Sequence, residues 1–201
     1  MTTISQVEQS KEAQSSESSE GHADHRLFGL IAFLIADGMT FAGFFAAYLT
    51  FKAVNPLPID AIYELELPLP IINTVLLLVS SATFHRASQA LKKSDSSSCQ
   101  KWLLITASLG LAFLVSQMVE YFTLPFGLTD NLYASTFYTV TGFHGLHVTL
   151  GAIMILIVWW QARSPGGRIT SDNQFPLEAA ELYWHFVDGI WVILFIILYL
   201  L

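Results

Sequence analysis

Five long apolar stretches constrain the fold of this chain more than any other feature of its sequence. They cover residues 27–51, 70–91, 102–124, 132–160 and 180–201. Each is long enough for a helix to cross a hydrocarbon core of about 30 Å, which takes roughly 20 residues. Because a segment in lipid must pair its own backbone amides and carbonyls, we expect helices. The predicted fold class is therefore all-α, a polytopic membrane protein that forms a bundle of five transmembrane helices.

The composition excludes several other classes of protein. Hydrophobic residues make up 53% of the 201 residues and charged residues only 12%, which is too apolar for an ordinary soluble domain. No basic patch is present, so we expect no nucleic-acid partner. The single cysteine, Cys99, permits neither an intrachain disulfide nor a thiolate metal cluster. No internal repeat is evident, which argues against a transporter built from inverted repeats.

The first 26 residues form a polar segment rich in Ser, Glu and Gln. It has too few large apolar residues to order itself by burial, so we expect a disordered tail. It also lacks the basic start and immediate apolar core of a secretory signal, so the first span is expected to be retained. The predicted domain organisation is a tail at 1–26 followed by a transmembrane domain at 27–201.

The basic residues predict the orientation of the spans. Eight of the nine Lys and Arg residues fall on the side of the N-terminus and the second and fourth loops, and only Lys52 falls opposite. Short cytoplasmic loops carry such an excess. We therefore expect a cytoplasmic N-terminus and a C-terminus on the periplasmic or lumenal side.

Asp37 is an acid close to the middle of the first span. It lies about ten residues, and hence roughly 15 Å, into the predicted helix. Ionisable groups at this depth are rare and usually face a bundle interior or a water-filled path. Two interpretations remain open: a protonated carboxyl hydrogen-bonded to a neighbouring helix, or a proton relay.

Histidines mark the fourth and fifth spans. His144 and His147 are three residues apart, as are His185 and Asp188, so each pair shares one helix face. If the two faces meet, three imidazoles and a carboxylate suffice for zinc, copper or non-haem iron. The glycines around the first pair instead indicate close helix packing, with histidines that form interhelical hydrogen bonds or contact lipid.

Two further groups of residues are expected near the membrane surface. Glu120 lies near the end of the third span, where headgroups and water can reach a carboxylate. Aromatic side chains near the span ends are typical of interfacial anchors. These are Trp102, Trp159, Trp160, Tyr183 and Trp184.

Two blocks of sequence carry a family resemblance. The segment STFYTVTGFHGLHVTLG begins at Ser135, and LEAAELYWHFVDGIW begins at Leu177. Together they resemble subunit III of haem-copper cytochrome c oxidases, in its short five-helix bacterial form, over about residues 27–201. Larger members have seven helices, and cytochrome c oxidases usually have Glu where this chain has Asp37. Asn173 and Gln174 stand where histidines are frequent.

The resemblance implies a non-catalytic subunit of a proton-pumping terminal oxidase. Such a subunit carries no redox cofactor or metal, packs on subunit I beside subunit II, and binds phospholipid, while haem and copper belong to the partner subunits. Asp37 matches the acid that supports proton uptake. Lipid-contact or helix-packing roles are expected at His144, His147, Glu178, Trp184, His185 and Asp188.

Several alternatives remain open from the sequence. The same fold occurs in the subunit III-like accessory protein of nitric oxide reductase and in quinol oxidase subunit III. An independent membrane metalloenzyme or ion carrier would use the histidines of both pairs together with Asp188. A purely structural assembly subunit would tolerate replacement of Asp37. The expected location is a bacterial plasma membrane, or a thylakoid membrane in a photosynthetic cell.

Overall fold

The computed structural model describes the backbone of residues 2–54, 68–163, 169 and 173–201, and the side chains of those ranges from residue 25 onward. Five α-helices follow one another along these residues. They are α1 (Thr2–Val54), α2 (Pro68–Lys92), α3 (Ser96–Thr123), α4 (Leu132–Arg163) and α5 (Phe175–Phe195), and α5 continues into a π-helical turn at Ile196–Leu200.

Five helical segments are long and apolar enough to cross a membrane, which confirms the predicted fold class. The segments are His25–Val54, Pro68–Lys92, Ser96–Thr123, Leu132–Arg163 and Phe175–Leu200. Most extend a few residues past the predicted limits. A helix continues into polar flanks because each added residue gains a backbone hydrogen bond without a new nucleation cost.

The chain divides into two compact units, residues 1–37 and 38–201. The first unit is helical from Thr2, so the backbone of the polar segment at 2–26 continues α1 as a helix. The sequence instead predicts a flexible tail there, with a boundary at 26. The disorder of that segment and the boundary stay predictions.

In the second unit, α2 to α5 form a closed ring. The helix pairs in contact are α2 with α3, α3 with α4, α4 with α5, and α5 with α2. Residues 38–54 of α1 lie against α4, where Phe41 meets Phe143 with ring centroids 5.1 Å apart and the Tyr48 hydroxyl donates to Tyr133 at 3.1 Å.

Trp184 joins the ring at its centre. Its indole is fully buried and lies between two glycines, Gly110 of α3 and Gly151 of α4. A Cβ atom at these positions would lie 2.6 Å and 2.8 Å from the indole. The indole nitrogen also donates to Ser80 Oγ of α2 at 2.9 Å. One side chain of α5 therefore contacts the other three helices of the ring.

A tight turn connects α2 and α3. Ser94 adopts a left-handed backbone, φ 59°, and the amide of Asp95 donates to the carbonyl of Ala90 at 3.0 Å. This is the Schellman arrangement that ends many helices. The carboxylate of Asp95 then accepts from the amide of Ser98 at 3.0 Å, which caps the first turn of α3.

Candidate functional site

Asp37 is the last residue of the first unit and lies half-buried near the middle of the span His25–Val54. The next residue, Gly38, belongs to the second unit and approaches α5 closely. A Cβ atom at Gly38 would lie 3.5 Å from the ring of Phe186. Within the second unit, α1 therefore approaches α5 closely at Gly38.

His144 lies in an aromatic cage. The imidazole is fully buried, and ring centroids of Phe113 and Trp191 lie 5.8 Å and 5.1 Å away, with Phe41 at 6.4 Å. Among the described residues, neither ring nitrogen has a hydrogen-bond partner. An apolar cage of this kind disfavours a charged ring. The His144 ring is therefore enclosed by aromatic side chains inside the bundle.

His147 has a different environment, one turn away on α4. Its Nδ1 lies 2.7 Å from the carbonyl of Phe143, and its ring centroid is 5.1 Å from that of Phe41 on α1. The carbonyl of His147 accepts from the Tyr183 hydroxyl at 3.3 Å. This residue therefore links α4 to both α1 and α5.

The two histidine faces that a metal site would have to combine contact different elements. His144 and His147 contact aromatic rings of α1, α3 and α5, whereas His185 is hydrogen-bonded to Ser81 of α2. Throughout the described ranges, no group of three or more His, Cys, Asp or Glu side chains is arranged to hold a metal ion. The arrangement needed by the metalloenzyme alternative is therefore not formed.

The remaining predicted residues lie along α5. Glu178 is exposed in its first turn, where a carboxylate interacts favourably with the helix dipole. Asp188 is only 4% exposed. Trp184 and Tyr183 are buried as well, so the prediction that they are interfacial anchors is wrong. Their position near the start of a span does not reveal that they face Gly151 across the bundle.

Polar contacts connect α2 and α5 along their whole shared length. Trp191 donates to Thr74 at 3.0 Å, Trp184 donates to Ser80, and His185 is hydrogen-bonded to Ser81. Nearer the C-terminal end of α2, Glu181 Oε1 lies 3.1 Å from Nδ1 of His85. The sequence alone indicates no role for His85 or Glu181. The signal for them is the run of hydroxyl and imidazole side chains on α2.

Glu120 lies near the end of α3, as the sequence predicts, but protein covers its carboxylate. It is 5% exposed and accepts from the Tyr199 hydroxyl at 2.7 Å and from the Gln117 amide at 3.0 Å. Tyr199 belongs to the π-helical turn after α5. The carboxylate thus connects the end of α3 to the C-terminal turn, and sequence spacing alone does not predict this pairing.

Comparison with known proteins identifies relatives over most of the chain. The family model described as cytochrome c oxidase subunit III matches residues 19–201. The chain is 50% identical over 182 residues to cytochrome c oxidase subunit 3 of Synechocystis sp., covering 90% of this chain and 78% of the relative.

Two further relatives carry the same name. The protein of Thermostichus vulcanus is 45% identical over 180 residues, covering 90% of this chain and 89% of the relative. The protein of Bos taurus is 37% identical over 179 residues, covering 86% of this chain and 68% of the relative.

Proposed function

Because the chain belongs to the cytochrome c oxidase subunit III family, we propose that it packs on subunit I of the oxidase and supports proton uptake there. The chain is one subunit of a cytochrome c oxidase complex, the terminal oxidase of aerobic respiration. It contributes to the complex as subunit III and is not its redox centre. The haem and copper of the reaction are expected in the partner subunits.

The relatives do not favour the alternatives left open by the sequence. All three described above are named for cytochrome c oxidase, and none is named for a quinol oxidase or a nitric oxide reductase. Cytochrome c is accordingly the proposed electron donor of the complex.

The proposed role in proton uptake rests on the position of Asp37. A half-buried carboxyl near the middle of an apolar span is costly to keep, and such groups commonly serve proton transfer. Of the five spans, the one that contains Asp37 is the least buried. Its large exposed side chains include Phe28, Phe33 and Met39. A helix with so much uncovered apolar surface suits packing on subunit I.

Lipid contact is proposed for the outer surface of the other spans, which also carries large exposed apolar side chains such as Phe122 and Trp160. The side chains of Arg86 and Arg163 lie over Trp102 and Trp159, at 5.1 Å and 5.4 Å. Indole rings and cations are typical of the headgroup region. Bound phospholipid is therefore expected around this end of the bundle.

The proposed location is a bacterial plasma membrane or a thylakoid membrane, with the N-terminus cytoplasmic. The excess of Lys and Arg on the side of the second and fourth loops supports this orientation. The cyanobacterial relatives support a bacterial membrane of one of these two kinds.

Asp37→Asn in the intact oxidase tests the proposed role. The amide keeps the shape of the side chain but cannot release a proton. We expect unchanged haem content, slower proton uptake and fewer turnovers before inactivation, measured by stopped-flow pH-indicator absorbance and by oxygen consumption over time. Asp130→Asn is the matched control, because that carboxylate lies exposed in the loop between α3 and α4, where it accepts from the amide of Gly127.

Equal proton-uptake rates and equal catalytic lifetimes in the Asp37→Asn and Asp130→Asn oxidases would make Asp37 a packing residue. The proposed role of the chain in proton uptake would then lose its main support.

A further inference from the structure

A row of hydrogen-bonded polar side chains lies on the outer edge of the α2–α5 contact. Glu181 of α5 is at its centre, with Oε1 3.1 Å from Nδ1 of His85 and 3.6 Å from Nε2 of His185. The Gln89 amide lies 3.0 Å from the second nitrogen of His85, and the Ser81 hydroxyl is hydrogen-bonded to the second nitrogen of His185. We call these five residues the outer row.

The three ionisable side chains of the outer row differ in exposure. The side chain of Glu181 is 14% exposed, whereas those of His85 and His185 are 61% and 40% exposed. Solvent or lipid headgroups can therefore reach the imidazoles while the carboxylate stays covered. His85 lies seven residues before the end of α2 at Lys92, about 10 Å from the helix end. This places the row within reach of the interfacial region.

Ser81 and Gln89 can each stay hydrogen-bonded to their imidazole in both of its protonation states. A serine hydroxyl and a glutamine amide can each act as donor or acceptor, the amide after rotation by half a turn. Ser81 can therefore donate to a neutral His185 or accept from a charged one, and Gln89 can do the same for His85. An imidazole with a carboxylate on one side and an adaptable group on the other stays hydrogen-bonded whether or not it carries the extra proton.

We propose that His85, Glu181 and His185 form a proton-binding site on the α2–α5 face. With Glu181 ionised and one imidazole protonated the site is neutral, and a hydronium ion then protonates the second imidazole, which breaks one O–H bond and leaves water. A single N–H bond forms in this step, and the carboxylate between the two rings shares the charge. Each of the four imidazole nitrogens has a polar neighbour in the row that can accept a hydrogen bond from an N–H.

The charged groups around the outer row are few. Asp188 faces His185 from the same helix and is buried. Glu178 lies one turn nearer the start of α5 and is exposed. Arg86, next to His85 in sequence, is directed to Trp102 of α3. Groups this close titrate together, so the proton belongs to the row as a unit and not to either histidine alone.

The site is tested in the intact oxidase in lipid vesicles by pH-induced infrared difference spectra, together with the number of protons bound between about pH 5 and pH 8. We expect His85→Gln to remove the bands of one imidazole and Glu181→Gln to weaken the bands of the protonated imidazoles. Each variant should bind about one proton fewer than the wild type. In the His85→Gln oxidase the titration midpoint of His185 should also move by more than about one pH unit. Glu178→Gln, which removes an exposed carboxylate from the same helix, should leave these imidazole bands unchanged.

Imidazole bands and proton counts identical to the wild type in both row variants would overturn the proposal. A His185 titration curve that His85→Gln leaves unchanged would also overturn the proposal, because the two rings would then act independently. His85 is mostly exposed, so its replacement tests the site even if Glu181→Gln disturbs folding. The readout is equilibrium protonation without turnover, so its outcome is separate from that of Asp37→Asn.

Discussion

Single side chains have sharply different roles in this bundle although their sequence contexts look alike. His144 lies in an aromatic cage, His147 links three helices, and His185 belongs to a surface row of polar groups. The indole of Trp184 is enclosed between two glycines, Gly110 and Gly151. The neighbours of each side chain, and not its residue type, therefore decide its role.

Gly151→Val tests the packing of Trp184. The new side chain would begin 2.8 Å from the indole, so either the indole or α4 must move. Overpacking of this kind costs about 1–3 kcal/mol, and we expect a lower temperature of thermal dissociation for the purified oxidase. Gly189→Ala is the control, since a Cβ atom there meets nothing within 4 Å. Equal stability of the two variants would show that Trp184 does not need this close approach.

Asp95 provides a test that depends on pH. Hydrogen bonds from the side chain and the backbone of Ser98 hold the pKa of Asp95 below its usual value of 3.8. A carboxyl whose pKa is lowered by folding stabilises the fold above the unfolded pKa, and the contribution is lost as pH falls through the folded pKa. Amide exchange at Ser98 should therefore accelerate below about pH 3.8, beyond the trend of neighbouring amides.

Asp95→Asn separates charge from shape in the same measurement. The amide oxygen can still cap the helix, so exchange at Ser98 should remain slow at neutral pH but lose its extra acceleration in acid. The same acid dependence in the variant and the wild type would rule out Asp95 as its source.

The sequence predicts the ionisable residues of the spans but not their partners. Asp37, His144 and His185 stand out because polar groups are rare in apolar stretches. The sequence does not predict the pairing of Glu181 with His85, because each lies near a polar flank and their contact depends on the register between α2 and α5. Span position predicts Trp184 at the membrane surface, because it does not report which glycines of other helices the side chain faces. The register between helices and the identity of the residues that face each other depend on tertiary structure, which hydrophobic periodicity does not report.

The helices themselves follow from the sequence more closely. Apolar length is enough to predict five spans, because backbone hydrogen bonding in lipid leaves few other structures. The exact ends differ since caps decide them, as Asp95 does for α3. The π-helical turn at Ile196–Leu200 was not predicted either. It places the Tyr199 hydroxyl on Glu120, a contact that depends on the neighbouring helix.

Tyr199→Phe tests this C-terminal contact. The change removes the hydroxyl that donates to Glu120 at 2.7 Å and leaves the ring in place. Interhelical hydrogen bonds in membrane proteins contribute about 0.6 kcal/mol on average, up to about 1.7. We expect faster hydrogen exchange at the amides of the π-helical turn, measured by mass spectrometry.

Thr149→Val is the control for the loss of a hydroxyl. Thr149 donates only to the carbonyl of Gly145 in its own helix and is exposed. If both variants left exchange in the turn unchanged, the Tyr199 contact would not hold the end of α5.

The span His25–Val54 is the least buried of the five candidate spans, and the other four spans form the ring. The ring is held by Trp184 and by the polar contacts between α2 and α5. The first span carries Asp37 and a large exposed apolar surface. This division suits a subunit whose ring is self-supporting while its first helix serves the rest of the oxidase.

The decisive measurement compares the purified oxidase with and without this chain during sustained turnover. Both preparations should contain the same haem and copper and begin with active oxygen reduction. We predict that the oxidase lacking the chain takes up protons more slowly and inactivates after fewer turnovers. Equal proton pumping and equal catalytic lifetime in the two preparations would contradict the role proposed for this subunit.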